Sequence, residues 1–445
     1  MMQSRRLTKI VKNIAPILLL YISTNVTAQE KTVTLDMQEA VKTATMQNRN
    51  IVVAKLDEQI AKENYRQTNA VFLPQVNFSY TGFITNNPLN AFGLKLQQQT
   101  IAQSDFNPAT LNHPDATSDF MTKFSAQQPL LNMDMLYQRK GAAKQIELYR
   151  HKTERSTEFI TWQVKEAYLQ LQLAWNVSEV MLEALNTAKA TFKVTSDRFE
   201  QGLLQKSDLL NVQVQVKNLE TRYAEAQANI ANASDYLSLL MNKEQGVIYR
   251  TQPVTFEGIG EKSNSLPENR ADFKAIEAAV ESYGYNVKSS KTSYLPRINA
   301  FGDYQLHDKS MFGFDANGYL AGVQLSWDIF KGFQTLHKTN TLILERNKLV
   351  QQLEDKKEQG RAELSKANRE LADASYKIRQ QTDAVAQSTE AMRILQNRFE
   401  QGLVTTTDVL QSQAQLSQQK LLYTQAIYDR NSSLIHIEFL TITHP

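Results

Sequence analysis

The side chains that most often perform chemistry show no catalytic spacing in this sequence. There is no cysteine, which excludes a thiol nucleophile, a disulfide framework and a cysteine-ligated metal. The six histidines, such as His113, His307 and His436, show none of the spacings of metal-binding motifs. Acidic residues are spread along helical faces instead of forming an isolated pair for acid–base catalysis. We therefore predict that the protein is not an enzyme and needs no metal or cofactor.

One short phrase of mixed chemistry occurs twice. RFEQGLLQKSDLL begins at Arg198, and RFEQGLVTTTDVL begins at Arg398. Residues that favour helices lie on both sides of the glycine in each copy, and glycine readily adopts the left-handed conformation that ends a helix. Each copy is therefore predicted to form the tight tip of a long antiparallel helical hairpin.

The two predicted tips differ in their helix caps. Thr405 and Asp408 stand at the spacing of a capping box, in which each side chain binds the backbone amide of the other residue. Gln205 occupies the hydroxyl position in the first copy. This difference predicts that the first tip is looser than the second.

Long uninterrupted tracts must position these tips. Neither Gly nor Pro lies between Gly141 and Gly202, between Gly202 and Gly246, or between Gly402 and Pro445. Such tracts, rich in Ala, Gln, Glu, Leu and Lys, predict long helices. Apolar residues recur at alternating steps of three and four, which predicts side-by-side packing as coiled coils. They are Val164, Tyr168, Leu171, Trp175, Leu182, Leu185 and Phe192, then Val212, Val216, Leu219, Tyr223, Ala226, Ile230, Ala233, Leu237 and Leu240.

Four other segments have the alternating pattern of strands. FLPQVNFSYTG at 72–82 resembles YLPRINAFGDY at 294–304, and each follows a predicted helix, at about 36–70 and 268–292. The predicted strands are at about 72–83, 119–130, 295–305 and 319–330. Their apolar face includes Val76, Phe78, Tyr80, Phe120, Phe124, Ala126, Ile298, Ala300, Tyr304, Tyr319, Ala321, Val323, Leu325, Trp327 and Ile329.

Strands of this length with one apolar and one polar face are typical of a transmembrane barrel. A water-soluble sheet also alternates, so the strands alone leave both interpretations open. Four strands cannot close a membrane-spanning barrel, whereas three chains would supply twelve strands, the smallest symmetric closure with room for a lumen. The residues predicted to line that lumen are Lys123, Gln127, Arg297, Asp303 and Gln324.

The remaining segments complete the predicted organisation. The first 28 residues have the cationic start, short apolar run and small residues of an export signal, with a membrane anchor as the alternative. Segments 84–118 and 306–318 are predicted to be outer loops. The predicted divisions are a signal peptide at 1–28, a first structural repeat at 29–245, an irregular linker at 246–267 and a second structural repeat at 268–445.

These features together resemble the TolC-like outer-membrane efflux proteins. The resemblance covers the whole mature chain and lies in the Leu-Pro pairs at 73–74 and 295–296, the two tips, and the repeated order of helix, strand pair and helical hairpin. It implies an α+β membrane protein, a homotrimer whose twelve-stranded barrel lies in the outer membrane of a Gram-negative cell. A long α-helical coiled-coil barrel would continue it into the periplasm.

The resemblance also implies partners, because the hairpin tips of this family meet a periplasmic adaptor joined to an inner-membrane pump. Two similar tips in each of three chains would give six docking points for a six-membered adaptor ring, with Leu203 and Leu403 as apolar anchors. The alternative is that both phrases are only efficient helical turns. The positions that match are Arg198, Gly202, Leu203, Leu204 and Asp208 in the first tip, and Arg398, Gly402, Leu403, Val404, Thr405 and Asp408 in the second.

The second hairpin is predicted to have a wetter surface, which suggests that it faces the channel, as the resemblance also implies. The glutamines that interrupt its apolar pattern are Gln411, Gln413, Gln415, Gln418, Gln419 and Gln425. Asp408 then lies where family members can carry an acidic ring at the periplasmic entrance. Gln411 stands where a second acid would follow, so a single ring and a weaker cation block are expected. The alternative role for Asp408 is that of a capping carboxylate at a helix N-terminus.

Several functions stay open at this stage. The first is the exit duct of a tripartite pump for small molecules, and the second is the duct of type I protein secretion. A periplasmic coiled-coil scaffold is the alternative of another class, although it leaves the four strands without a purpose. A formal net charge of only +3 gives no basic field for nucleic acid. The sequence does not specify the cargo.

Overall fold

A computed structural model describes residues 32–254 and 265–443. The predicted signal peptide and residues 255–264 of the predicted linker lie outside the described residues. The described elements, in chain order, are β1 (Thr32–Leu35), α1 (Met37–Gln47), α2 (Arg49–Gln67), β2 (Gln75–Thr85), α3 (Pro88–Gln97), α4 (Pro108–Asn112), β3 (Thr117–Leu131), α5 (Met133–Glu200), α6 (Lys206–Met241), β4 (Ile248–Thr251), α7 (Ala271–Thr292), β5 (Arg297–Asp308), β6 (Ala316–Ser326), α8 (Gln334–Glu400) and α9 (Thr406–Thr441).

Two long helical hairpins, α5–α6 and α8–α9, dominate the molecule. Helices α5 and α8 have 68 and 67 residues, and α6 and α9 have 36 residues each. At about 1.5 Å per residue, α5 and α8 are each about 100 Å long. The predicted hairpins are confirmed, and both halves of the chain have the order helix, two strands, long helix and shorter helix. None of the described helices is apolar enough over a sufficient length to cross a lipid bilayer.

The four predicted strands form one antiparallel sheet with the order β2-β3-β5-β6. Its register pairs Phe78 with Phe124, Phe124 with Tyr304, and Tyr304 with Tyr319, so these four residues share one face. The predicted strand at 319–330 is too long at its end, because β6 stops at Ser326. Trp327 and Ile329 therefore lie beyond the strand.

The first predicted helix, at about 36–70, was wrong as a single element because Asn48 divides it into α1 and α2. The backbone of Asn48 is extended, and its side-chain oxygen caps α2 at the amide of Asn50, 2.9 Å away. Its side-chain nitrogen donates to the carbonyl of Leu240 on α6, 2.8 Å away. A buried asparagine thus ends one helix, starts the next and ties both to the first hairpin.

Three connections also differ from the sequence expectation. The predicted loop at 84–118 contains α3, α4 and the beginning of β3. The other predicted loop, 306–318, is shorter because β5 and β6 extend into it. The linker is partly regular, since β4 pairs in parallel with β1 near the N-terminal end of the described chain.

The largest core cluster lies where α1, α5, α6 and the β1–β4 pair meet. Tyr168 is fully buried there, and its hydroxyl donates to the carbonyl of Leu35 at 2.9 Å. Burial confirms most of the predicted coiled-coil seam, including Val164, Leu171 and Leu237. Leu182 is the exception, because its side chain faces outward.

Candidate functional site

Both repeated phrases form tight hairpin tips, as predicted. Gly202 and Gly402 have φ angles of 76° and 77°, the left-handed conformation that other residues adopt at a cost. The amide of each glycine donates to the carbonyl of the phenylalanine three residues earlier, at 2.9 Å in both copies. The following leucine, Leu203 or Leu403, donates to the carbonyl of the phrase's arginine, also at 2.9 Å in both copies. The same backbone hydrogen bonds therefore end α5 and α8.

The two caps differ in their hydrogen bonds, whereas the looser first tip stays a prediction. In the second tip, Asp408 accepts from the backbone amide of Thr405 at 2.9 Å and from its hydroxyl at 2.7 Å, and the amide of Asp408 donates back to that hydroxyl at 3.3 Å. In the first tip, Asp208 accepts from the amide of Gln205 at 3.2 Å, but the Gln205 side chain makes no return bond to a helix amide.

The cap also favours the ionised form of Asp408 in the second tip. The hydrogen bond from the Thr405 hydroxyl, followed by the bond from its backbone amide, lowers the pKa of the Asp408 carboxyl below its ordinary value. Asp408 and Gln411 are both exposed. A carboxylate at this position is therefore ionised near neutral pH and open to solvent, while still capping its helix.

The two tips of one chain lie side by side, which sequence reasoning missed. Arg198 donates from its guanidinium to the carbonyl of Glu400 at 2.9 Å, and its guanidinium carbon lies 4.7 Å from the centre of the Phe399 ring. One of the last carbonyls of α8 thus gains a cationic donor, a favourable arrangement at a helix C-terminus. The repeated Arg-Phe-Glu motif was the available signal, but it did not show that the arginine of the first tip contacts the second tip.

An apolar cluster lies beneath this contact. Its buried members come from the second hairpin, and Val194 of the first hairpin packs against them together with Val404. The cluster consists of Met392, Phe399, Val409 and Leu416. Leu203 and Leu403, in contrast, remain exposed at the ends of the two tips. The tips therefore present two apolar side chains on a rigid base.

The predicted glutamine-rich surface of α9 is confirmed in part. Gln411, Gln415, Gln418 and Gln425 are exposed. Gln413 is buried, and its side-chain nitrogen donates to the hydroxyl of Ser417 at 3.2 Å. It was wrong to include Gln413 among the surface residues, because it faces the interior of the hairpin.

The residues predicted to line a lumen share one face of the sheet. Residues in antiparallel register face the same way, and alternate residues of a strand share a face, which groups all five of them. The ammonium of Lys123 lies 2.8 Å from a carboxylate oxygen of Asp303 on the neighbouring strand. Arg297 pairs with Asp134 in the first turn of α5, at 2.5 Å, where the sheet joins the helices. Gln127 and Gln324 complete this polar face.

The opposite face of the sheet is apolar and largely uncovered. Phe78, Val323 and Leu325 are 59%, 66% and 61% exposed, and Tyr319 is 84% exposed. Exposed apolar surface of this extent marks contact with lipid or another protein. Among the described residues, no group of three or more His, Asp or Glu side chains is arranged to hold a metal ion. The arrangement supports docking and the lining of a passage, since it consists of two tips and a two-faced sheet.

This combination of a two-faced antiparallel sheet and long helical hairpins defines the class of outer-membrane channels with a helical extension. A family model described as outer membrane efflux protein matches residues 40–243 and 263–441, so the chain belongs to that family. The protein is accordingly an efflux or secretion channel of the outer membrane that extends into the periplasm.

Solved structures and one sequence relative are similar over most of the chain. The crystal structure of CusC has a TM-score of 0.78 at 16% identity and matches 95% of this chain and 96% of its own. The CmeC outer membrane channel of Campylobacter jejuni has a TM-score of 0.77 at 14% identity, matching 91% and 85%. These identities establish the shared fold alone. The alkaline protease secretion protein AprF of Pseudomonas aeruginosa is 22% identical over 411 residues, 87% of this chain and 80% of AprF.

Proposed function

We propose that the protein is the outer-membrane exit duct of a tripartite efflux pump and exports small molecules as a homotrimer. The observation that carries this proposal is the four-stranded sheet with one exposed apolar face and one polar face, continued by helical hairpins about 100 Å long. Lipid would cover the apolar face. Lys123, Gln127, Arg297, Asp303 and Gln324 would line the water-filled lumen of a twelve-stranded barrel.

Packing between the two halves of the chain supports closure by further copies. Helix α5 packs against α7 and α9 of the second half. In the second half of the chain, α8 is the equivalent of α5. Its partners equivalent to α7 and α9 would be α2 and α6 of a neighbouring copy. Both carry exposed apolar side chains: Val52, Val53, Leu56 and Ile60 on α2, and Leu210 and Val214 on α6. A second copy that repeats the contact between the two halves would cover these surfaces.

The two tips of one chain are also buried to different extents at equivalent positions. Arg198 is half-buried against the second tip, whereas its counterpart Arg398 is exposed. Val194 packs on the second tip, whereas its counterpart Ile394 is 44% exposed. Phe399 is buried, whereas Phe199 is only half-buried. The neighbouring copy would supply a first tip to Arg398 and Ile394, and a ring of three chains would contain six equivalent contacts.

Six similar tips would then face the periplasm and dock a six-membered adaptor ring, which joins the duct to an inner-membrane pump. The docking residues proposed are Arg198, Gly202, Leu203, Leu204 and Asp208 of the first tip and Arg398, Gly402, Leu403, Val404, Thr405 and Asp408 of the second. Exposed Leu203 and Leu403 act as the apolar anchors. Asp408 forms a single acidic ring at the entrance, with Gln411 one turn further in.

A double substitution tests the docking role. Leu203→Ser/Leu403→Ser removes both anchors, and we expect it to abolish photo-crosslinking from the tips to the adaptor and to abolish efflux of a fluorescent substrate in cells. The matched control, Leu239→Ser, changes an exposed leucine at the end of α6 far from the tips and should leave adaptor crosslinking intact. Undiminished crosslinking and efflux in the double variant would exclude these leucines as anchors.

Type I protein secretion is the second candidate, because AprF is named as an alkaline protease secretion protein. The two candidates predict different partners, since the pump and adaptor determine the cargo. Affinity purification of the crosslinked tips would recover a drug- or solute-type pump in the first case. Recovery of an ATP-driven polypeptide exporter would favour the second.

A further inference from the structure

Helix α3 occupies the end of the sheet that lies furthest from the helical body. Strand β2 starts after α2, and β3 leads into α5, so the opposite ends of these strands point away from the hairpins. Helix α3 connects those distant ends, between Thr85 and Thr117. In the proposed duct, this end is the outer mouth.

A buried set of hydrogen bonds fixes α3 to the sheet. The side-chain nitrogen of Gln98, directly after α3, donates to a carboxylate oxygen of Asp119 at 2.9 Å and to the carbonyl of Ser118 at 2.7 Å. The other carboxylate oxygen of Asp119 lies 2.9 Å from Nδ1 of His307 on β5. Asp119 is fully buried, and Gln98 and His307 are nearly so. Three polar residues from two strands and the α3 connection thus satisfy one another.

This attachment lies on the polar face of the sheet. Asp119 is two pairs of residues before Lys123 on β3, and His307 is two pairs after Asp303 on β5, so all four share one face. Helix α3 contacts β3 and β6, and Ala316 at the outer end of β6 is buried on that same face. Ala91 and Leu94 of α3 are buried as well. The helix therefore lies over the surface that would line the lumen.

The remaining side of α3 is an uncovered apolar ridge. Leu89 is 80% exposed and Leu96 is 52% exposed. They are seven residues apart, which places them on one side of a helix about two turns apart. In the proposed duct, lipid would cover the opposite, apolar face of the sheet and would not reach this ridge. A second copy of the same ridge is the apolar partner that a trimeric duct brings to its axis.

We propose that Leu89 and Leu96 of three copies meet at the axis and form an apolar constriction at the outer mouth of the duct. This inference rests on the proposed trimeric channel. An apolar constriction restricts the passage of water and ions by dewetting, so it would act as a barrier to solutes entering from outside. The Gln98–Asp119–His307 set holds each α3 in position for that contact.

Cysteine crosslinking tests the contact, because the native chain has no cysteine. Leu89→Cys in the purified trimer should form disulfide-linked dimers on mild oxidation. Met311→Cys is the control: it is exposed in the turn between β5 and β6, and its neighbour Phe312 stacks on Tyr80 of the apolar face, 5.6 Å between ring centres. This control should stay unlinked.

Conductance tests the barrier. Leu89→Ser/Leu96→Ser should raise single-channel conductance about twofold or more, since polar side chains keep the constriction wet. Gln98→Ala should give an intermediate increase by releasing α3. A conducting trimer with neither disulfide formation at position 89 nor increased conductance in the serine variant would overturn the constriction but leave the duct intact. A protein that forms no trimer and no channel would instead overturn the proposed function.

Discussion

Asp408 combines two roles at the residue scale, as a helix cap and as an exposed charge at the second tip. Replacement by Asn keeps an oxygen that can accept from Thr405 but removes the charge. In the proposed trimer, three carboxylates near the axis would favour cations. Asp408→Asn is therefore expected to reduce the cation preference, measured as the reversal potential in a salt gradient across a planar bilayer.

The first tip supplies the matched control for that change. Asp208 occupies the equivalent position and caps α6, but it belongs to the first hairpin, whereas the proposed acidic ring is formed by Asp408 of the second. Asp208→Asn should leave the reversal potential near that of the native protein. An unchanged reversal potential in Asp408→Asn would refute the acidic ring and leave capping as the only role.

The Asp408 carboxyl should also make the stability of the second tip depend on pH. Its pKa is lowered in the folded protein, chiefly by the Thr405 hydroxyl, while an unfolded Asp has a pKa of about 3.9. The stabilisation by this cap is thus complete above that unfolded value and is lost as pH falls through the lower folded-state pKa. Pepsin cleavage within the first turn of α9 should increase over that acidic range.

Asp408→Asn is again the informative comparison, because it cannot titrate there. Its cleavage rate, corrected for the pH dependence of pepsin on an unfolded peptide, should stay flat over the same range. If the native protein and this variant responded identically to acid, the carboxylate cap would not control opening of the tip.

Local chemistry made the tips predictable from sequence, whereas their mutual contact was not. A glycine after a helix and a Thr-x-x-Asp cap act within a few residues of their own positions, so the sequence contains the whole interaction. The contact of Arg198 with Glu400 joins positions about two hundred residues apart and depends on how the hairpins pack. The lower pKa of Asp408 follows from the cap and was accessible once the cap was recognised.

The long helices were the most predictable features at the element scale, because their periodic apolar seam extends over many turns. The break at Asn48 was missed although its side chain caps α2 locally, whereas its bond to Leu240 far along the chain was not accessible from sequence. Helix α3 was missed because it lies in a segment rich in Asn and Gln. Its start nevertheless carried a local signal, since Asn87 caps the helix and Pro88 occupies its first turn.

The packing of α5 on α7 depends on a close approach at Gly141. A methyl group there would lie 2.8 Å from the side-chain oxygen of Asn286 and 3.3 Å from the carbonyl of Ser282. The hydroxyl of Ser282 also donates to the carbonyl of Gly141 at 2.9 Å. Gly141→Ala should therefore be less stable than a Gly→Ala change on an open helix surface by about 1–3 kcal/mol, measured by urea unfolding followed by circular dichroism.

Gly284 of α7 gives the control, since a methyl group there meets no atom within 4 Å. Gly284→Ala should be neutral or stabilise by up to about 1 kcal/mol through helix propensity. Equal stability of Gly141→Ala and Gly284→Ala would show that the two helices do not need this close approach.

At the scale of the whole molecule, the proposed assembly follows from the two-faced sheet. Alternation predicted which residues share a face, and the register confirms it for Lys123, Asp303 and their neighbours. Alternation alone did not distinguish a soluble sheet from part of a barrel, because both bury one face. The family match places the protein in the outer membrane, and the exposed apolar face supports the barrel proposed above. The number of copies depends on surfaces between chains, so it stays a prediction.

The most direct test of the central claim is planar-bilayer recording of the detergent-purified mature protein, with its mass determined first by light scattering. A trimer that inserts and gives discrete conductance steps is the predicted result. If the entrance is closed, a detergent-stable trimer will give no steps. It should then begin to conduct when Thr405→Ala/Asp408→Ala loosens the second tip. A monomer that dissolves without detergent and never conducts would contradict the account.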